Sequence, residues 1–216
     1  MQMQELLLKI ISIPGILMAF TIHEFAHAIT AYKLGDDTPK YEGRLNLNPF
    51  THIDIMGFLA MMIFGFGWAR PVNTNPSAYK NYRMDDLKVS IAGPLANLLG
   101  AMICAIILSI SNNFIVIDNI FYHMFKFIIS YALQINVVLF ILNLIPIPGF
   151  DGFHVLSDLF PDLFRKLPSS IESYGTIIFI ICLLPILPGR ESIFTYIVHI
   201  PSDYICDFIY TIFRIS

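Results

Sequence analysis

In the stretch AFTIHEFAHAITAYKLG, residues 19–35, two histidines and a glutamate interrupt an apolar run. His23 and His27 lie four residues apart, so a helix would place both imidazoles on one face, within reach of one metal ion. Glu24 follows His23 directly and falls beside that face. Two imidazole ligands with a neighbouring glutamate as general base form the arrangement of zinc hydrolases. On a soluble helix a chance His-Glu-x-x-His would be a serious alternative. Inside an apolar membrane helix, ionisable groups are rare and usually functional.

Catalytic zinc takes three protein ligands and keeps one position open. The candidate for the third is Asp151, in IPIPGFDGF at the broken end of an apolar span. The Pro-Gly segment would let Asp151 turn inward, and Gly152 permits unusual backbone angles. The competing reading makes Asp151 the cap of a short helix beginning near Phe153. The two readings are compatible.

The elements that must position these residues follow from composition. Of 216 residues, 56% are hydrophobic and 13% charged, and the mean hydropathy is +0.69. A soluble domain carries about a quarter charged residues. No Lys, Arg, Asp or Glu occurs between Lys88 and Asp118, between Lys126 and Asp151, or between Glu172 and Arg190. Runs of that length match a bilayer core of about 30 Å. The expected fold is an all-α polytopic membrane protein with about five membrane-embedded helical segments: 5–34, 86–111, 120–145, 171–187 and 191–213. Pro14-Gly15 is expected to kink the first segment. The last holds His199, Pro201 and Asp203, and is expected to be kinked or interfacial. YEGRLNLNPFTHID (41–54) alternates like extended chain. It leads into IMGFLAMMIFGFGW (55–68), which is too short to span and reads as a re-entrant or interfacial segment.

The net charge of −3 and the lack of a basic block give no sign of nucleic-acid binding. Cys104, Cys182 and Cys206 all fall in apolar segments and read as small core residues. The N-terminus lacks a basic n-region and a cleavage site, so it reads as a retained first helix. No repeat or appended soluble domain is visible, and 1–216 is read as one membrane domain. Lys33, Lys40, Arg44, Arg70, Lys80, Arg83, Lys88, Arg165 and Lys166 follow the first and third spans, against Lys9, Lys126 and Arg190 on the other side. That asymmetry places the N-terminus outside and the His pair roughly 13 Å inside the cytoplasmic boundary.

Three motifs together carry a family resemblance: HEFAH at 23–27, AGPLAN at 92–97 and NLIPIPGFDG at 143–152. The chain resembles the site-2 protease family of intramembrane zinc metalloproteases, in a compact form without a PDZ or nucleotide-sensing domain. GWARPVNTNP and LNLNPFTHID resemble segments that compact bacterial members carry between their first two core helices. The likeness covers most of 15–160, whereas the helices of 171–213 match by hydrophobicity alone. The resemblance implies one Zn2+ per chain held by His23, His27 and Asp151, with Glu24 as general base. It places Asn97 and Asn143 on the family's helix asparagines. Each would either hold the substrate backbone or developing oxyanion, or hydrogen-bond a neighbouring helix. The region 45–66 resembles the family's membrane-inserted hairpin, whose strand edge could pair with an unwound substrate.

The implied activity is hydrolysis of peptide bonds in or near transmembrane segments of single-span proteins or signal-peptide remnants, in a bacterial plasma membrane. Gating would fall to the membrane part or to a regulatory membrane partner. The alternative is a non-proteolytic membrane metal-binding protein, a transporter or a protease-like chaperone. A transporter would show ligands tracing a path across the bilayer and repeated halves. An inactive relative would be expected to have lost the base. His52, His123, His154 and His199 are not taken as ligands.

Overall fold

The computed structural model describes residues 2–64, 67–114, 119–187 and 189–215. Helix α1 (Gln2–Lys33) is followed by two single turns, α2 (Thr38–Tyr41) and α3 (Pro49–His52), and by α4 (Ile55–Phe64). Next come the two longest later helices, α5 (Tyr82–Phe114) and α6 (Ile120–Leu144). The chain then forms α7 (Asp151–Leu159), α8 (Pro161–Phe164), α9 (Gly175–Leu183) and α10 (Ile200–Phe213). The all-helical membrane architecture expected from the hydropathy pattern is what forms.

Among the described residues, three helices are long and apolar enough to cross a bilayer: Leu7–Lys33 within α1, then α5 and α6. They pack on one another as the central bundle. Their packing follows the physics of a lipid solvent, where small residues let backbones approach and large apolar ones face outward. On α5, Gly100, Ala101, Cys104 and Ala105 are buried, while Leu99, Ile103, Ile106 and Ile110 are exposed. Ala132, Leu133 and Val137 of α6 close the same core.

Polar capping sets the helix starts. Helix α5 begins four residues before the expected 86, inside the polar connector. There the Asp85 carboxylate accepts the Asn81 N–H at 3.0 Å and holds Lys88 at 2.7 Å. Asn119 accepts the Tyr122 N–H at 2.9 Å and starts α6. The turn expected at 111–119 falls partly on residues outside the described set, as do residues 65–66 of the re-entrant segment.

The fourth segment is shorter than the sequence suggests, whereas the fifth is helical over 193–213, close to the expected 191–213. A 3-10 turn at Ser169–Tyr174 leads into α9, which stops at Leu183 and not at 187. Leu184 precedes Pro185 and is extended, with ψ 141°, as the steric demand of the following proline requires. The expected kink near His199-Ile-Pro201 takes the form of a π-helical turn, Thr195–His199, directly before α10. Pro201 has no N–H to return to the preceding turn, and a widened turn accommodates that loss.

The hairpin-like region is reduced to a single antiparallel bridge, Ile53 with Ala69, and an Arg70 N–H bond to the His52 carbonyl at 2.9 Å. Beyond it, residues 70–75 run as irregular chain beside the C-terminal part of α1 and the turn after it, where the Val72 N–H meets Glu24 and the Asn75 N–H meets Asp36. The guanidinium of Arg44, 2% exposed, fixes this strip. It donates to the carbonyls of Thr51, Arg70 (3.2 Å) and Pro71 (2.7 Å).

Candidate metal centre

Helix α1 carries His23 and His27 one turn apart, with ring centroids 4.7 Å apart and nearly perpendicular. Their Nε2 atoms lie 3.1 Å from each other. Helix α6 ends at Leu144, and Ile145 to Phe150 form a non-helical break that contains Pro146 and Pro148. Gly149 supplies the left-handed turn in that break, with φ +97°. The unusual angle expected of Gly152 is therefore found three residues earlier. Gly152 is helical, and it lacks a Cβ because one would strike the Leu144 carbonyl.

The break aims Asp151 back at α1. Its Oδ2 is 3.3 Å from His23 Nε2 and 3.3 Å from His27 Nε2. Asp151 is the first residue of α7, Phe150 occupies the cap position, and no side-chain capping bond forms there. Among the described residues, His23, His27 and Asp151 are the one group of three or more such side chains able to share an ion.

The hydrogen bonds around this trio decide what it can hold. Asn97, fully buried on α5, donates through Nδ2 to the Ala19 carbonyl at 3.0 Å and to Asn136 Oδ1 at 2.9 Å. Its Oδ1 is therefore the acceptor that faces His23 Nδ1 at 2.6 Å. His27 Nδ1 faces another acceptor, the Val89 carbonyl, at 2.8 Å. Both imidazoles must then carry their proton on Nδ1 and turn a lone pair on Nε2 toward Asp151. Asp151 Oδ2 is buried with no hydrogen-bond partner.

Three lone-pair atoms thus converge with no proton to share, an arrangement that calls for a cation. A tetrahedron with zinc bonds of ~2.0–2.1 Å has an edge of about 3.3 Å, which matches the observed separations. Two imidazoles and one carboxylate are also a donor set that suits zinc. Gly93 of α5 makes the remaining space, because a Cβ there would fall on His27 Nε2 and lie 2.7 Å from His23 Cε1.

Glu24 is 7% exposed, and its Oε2 accepts the Val72 N–H at 2.9 Å. It lines a cavity of about 460 Å³ together with His23, His27, Val72, Asn143 and Asp151. Asn143 reaches this cavity, with Nδ2 donating to the Leu139 carbonyl at 3.0 Å. Asn97 does not line it, and its contacts are with His23, Ala19 and Asn136. Of the other histidines, His154 lines the cavity and His52 is buried against the Asn46 carbonyl at 2.8 Å. Neither joins the trio.

The sequence reading had not singled out Asn136, Gly93, Val89, Val72 or Arg44. Asn136 was detectable as an amide inside a charge-free run. Val89 and Val72 act through backbone atoms, which leave no trace in residue type.

A bundle of bilayer-length helices, with His23, His27 and Glu24 on α1 and Asp151 on α7 at one cavity, defines a membrane protein with a candidate metal centre. Comparison with known proteins agrees. Residues 109–186 match the model of Peptidase family M50. The chain is 40% identical over 197 residues to "Putative zinc metalloprotease YwhC" of Bacillus subtilis, covering 82% of this chain and 86% of that one. It is 32% identical over 181 residues to the similarly named Rip2 of Mycolicibacterium smegmatis, covering 81% and 67%. It is 30% identical over 157 residues to MJ0611 of Methanocaldococcus jannaschii, covering 70% and 72%. No solved structure matches the chain. The chain belongs to Peptidase family M50, the site-2 protease family of membrane metalloproteases.

Proposed function

We propose that this chain is an intramembrane zinc metalloprotease that cuts single-span membrane proteins or signal-peptide remnants in or near their transmembrane segment. The observation that carries this reading is the trio of His23, His27 and Asp151 with unprotonated atoms facing one point, beside Glu24, on a helix of bilayer length. One zinc held there supplies Lewis-acid polarisation of a carbonyl and activation of water near neutral pH.

The chain's own residues do the rest. The Val72 N–H holds one carboxylate oxygen of Glu24 and leaves the other to accept a proton from the attacking water. As the water oxygen bonds to the scissile carbonyl carbon and the C–N bond breaks, Glu24 returns that proton to the leaving amine. Asn143, on the cavity wall, holds the substrate backbone or the developing oxyanion. Asn97 and the Val89 carbonyl keep both imidazoles in the tautomer that ligates. The substrate helix must unwind first, because its carbonyls are internally bonded in lipid, so helix-weak segments are the favoured targets. The positive charges that follow α1 and α6 orient the N-terminus outside and the site toward the cytoplasm of the plasma membrane. Timing falls to the membrane part and to a regulatory membrane partner.

The deciding experiment uses purified protein in lipid with a panel of single-span test substrates. Wild type, Glu24→Gln and chelator-treated samples are compared, with bound metal quantified in each. Cleavage by wild type alone, with metal retained in Glu24→Gln, is the expected result. Metal bound in both forms with no cleavage of any substrate would instead point to a metal-binding scaffold.

A further inference from the structure

Helix α10 carries two carboxylates to the depth of the bilayer interior. Its Cys206 and Ile209 are buried against Ala101, Cys104 and Ala105 of α5 and Leu133 and Val137 of α6. Those are central residues of the two spans, so α10 lies alongside the middle of the bundle. Asp203 and Asp207 stand on either side of Cys206 in sequence, and both are exposed. They are four residues apart and therefore share one face of the helix.

That face lines a second cavity, of about 620 Å³, between α10 and the stretch of α6 from Tyr131 to Leu142. Among the described residues, no ion pair reaches either aspartate. His199 lines the same cavity one turn before Asp203. Ser202 lines it too, 2% exposed, and its Oγ is without a hydrogen-bond partner. Ionisable groups at this depth are costly to keep and generally mark a functional path. Arg214 lines a separate pocket with Asp207, and among the described residues it forms no ion pair with it.

The cavity also borders the catalytic one. Leu142 lines the cavity beside α10, and its neighbour Asn143 lines the one at the ligand trio. The ring of Phe150, beside Asp151, sits edge-on to Phe179 at 5.2 Å. The row continues from Phe179 to Phe194 at 6.1 Å and from Phe194 to His199 at 5.1 Å. A peptide segment lying along α6 in this cavity would reach Asn143 and Asp151 across that aromatic row. Tyr210 of α10 meets Ser130 of α6 at 3.3 Å, and Gln134 and Val138, which line the cavity with the aspartates, lie roughly 8–14 Å before Asn143 at 1.5 Å per residue.

We propose that this cavity seats part of the substrate's membrane segment, and that Asp203 and Asp207 recognise a lysine or arginine within it. The cation would lie roughly 8–14 Å from the scissile bond, toward the N-terminal end of α6. A basic side chain brings a positive charge to carboxylates that form no ion pair among the described residues, and can extend its apolar stem along the Leu142 and Val138 wall. This inference rests on the protease reading of the metal centre and adds a substrate preference to it.

The test uses the full-length chain in lipid nanodiscs with single-span substrates identical except for one residue. A lysine, a glutamine or a glutamate is placed at successive positions of the membrane segment. Wild type is expected to cut one narrow set of lysine positions at least tenfold faster than the matched glutamine substrates. In Asp203→Asn/Asp207→Asn that ratio is expected to fall to about one. Asp207→Lys in the Asp203→Asn background should invert the preference toward glutamate at the same positions, a result that misfolding cannot produce. Binding of the lysine and glutamine segments to Glu24→Gln protein is measured in parallel. Cleavage without any lysine preference, or a preference that survives both aspartate changes, overturns the inference and leaves the protease reading standing. A charge-dependent binding difference without cleavage does the opposite.

Discussion

The Val72 N–H donates to Oε2 of Glu24 at 2.9 Å, which ties the general base on α1 to a strip of chain 48 residues away. Arg44 holds that strip in place through the Arg70 and Pro71 carbonyls. Glu24 is thus oriented by a buried guanidinium that does not itself line the cavity. Val72→Pro deletes the N–H, and Arg44→Ala releases the strip. Both changes are expected to lower kcat by roughly 100-fold through misplacement of Glu24 while bound zinc stays near one per chain. Arg44→Lys should recover part of the loss, since one ammonium cannot span three carbonyls as the guanidinium fork does. Wild-type turnover in Val72→Pro would show that the bond plays no part in positioning the base.

Asn97 contacts the ligand trio and not Glu24. Its Oδ1 fixes His23 with the proton on Nδ1, and its own orientation is fixed by Asn136 and the Ala19 carbonyl. Asn97→Ala is expected to weaken zinc binding by roughly 10–100-fold, the usual effect of removing a partner behind a histidine ligand. Titration against a competing chelator measures this directly. At saturating zinc the variant should regain much of its cleavage activity, a recovery not expected of the Val72 or Arg44 variants.

The contrast between those two pairs explains what the sequence could reveal. His23, Glu24 and His27 stood out because charged groups in an apolar run are rare, and the gathering of His23, His27 and Asp151 on one point needed only helix spacing and a broken span. The long spans α5 and α6 followed from charge-free runs, and α1 from the apolar run around its ionisable cluster. The Val72 amide and the Val89 carbonyl were invisible, since every residue has such atoms and only the fold aims them. Helix α9 was overextended because hydropathy counts Leu184 to Leu187 as apolar, whereas Pro185 forbids the helix there. The acidic face of α10 left a trace in Asp203, yet its depth could be fixed only by the packing of Cys206 and Ile209.

Gly93 separates metal accommodation from helix stability. In the interior of an exposed helix, Gly→Ala gains about 1 kcal/mol from propensity alone. At position 93 the added methyl would fall on His27 Nε2, so the gain is opposed by a collision at the ligand trio. Gly93→Ala is expected to fold as a membrane protein with little or no bound zinc and no rise in Tm. Gly93→Ala protein that carries a full complement of zinc would show that α5 can move away from the imidazoles, and that the close approach is not required.

The last prediction concerns Asp158, on the helix that Asp151 begins. Burial and the neighbouring Asp86 carboxylate push its carboxyl up from 3.8 to about 6, and its Oδ2 has no hydrogen-bond partner. Arg83 spends its Nε bond on the Asp158 backbone carbonyl, which ties α5 to α7 without satisfying that oxygen. A carboxyl whose folded value is raised costs stability once it ionises. The cost is fully present above about pH 6, shrinks as pH falls toward 3.8, and is absent below that. Asp158→Asn removes the charge and is expected to stabilise the fold by about 1–2 kcal/mol at pH 8, after allowance for solvent screening. Thermal unfolding in one detergent should show a higher Tm for the variant at pH 8 and convergence with wild type near pH 4. A variant less stable than wild type at pH 8 would mean that the Asp158 carboxylate has a cationic partner in the folded protein.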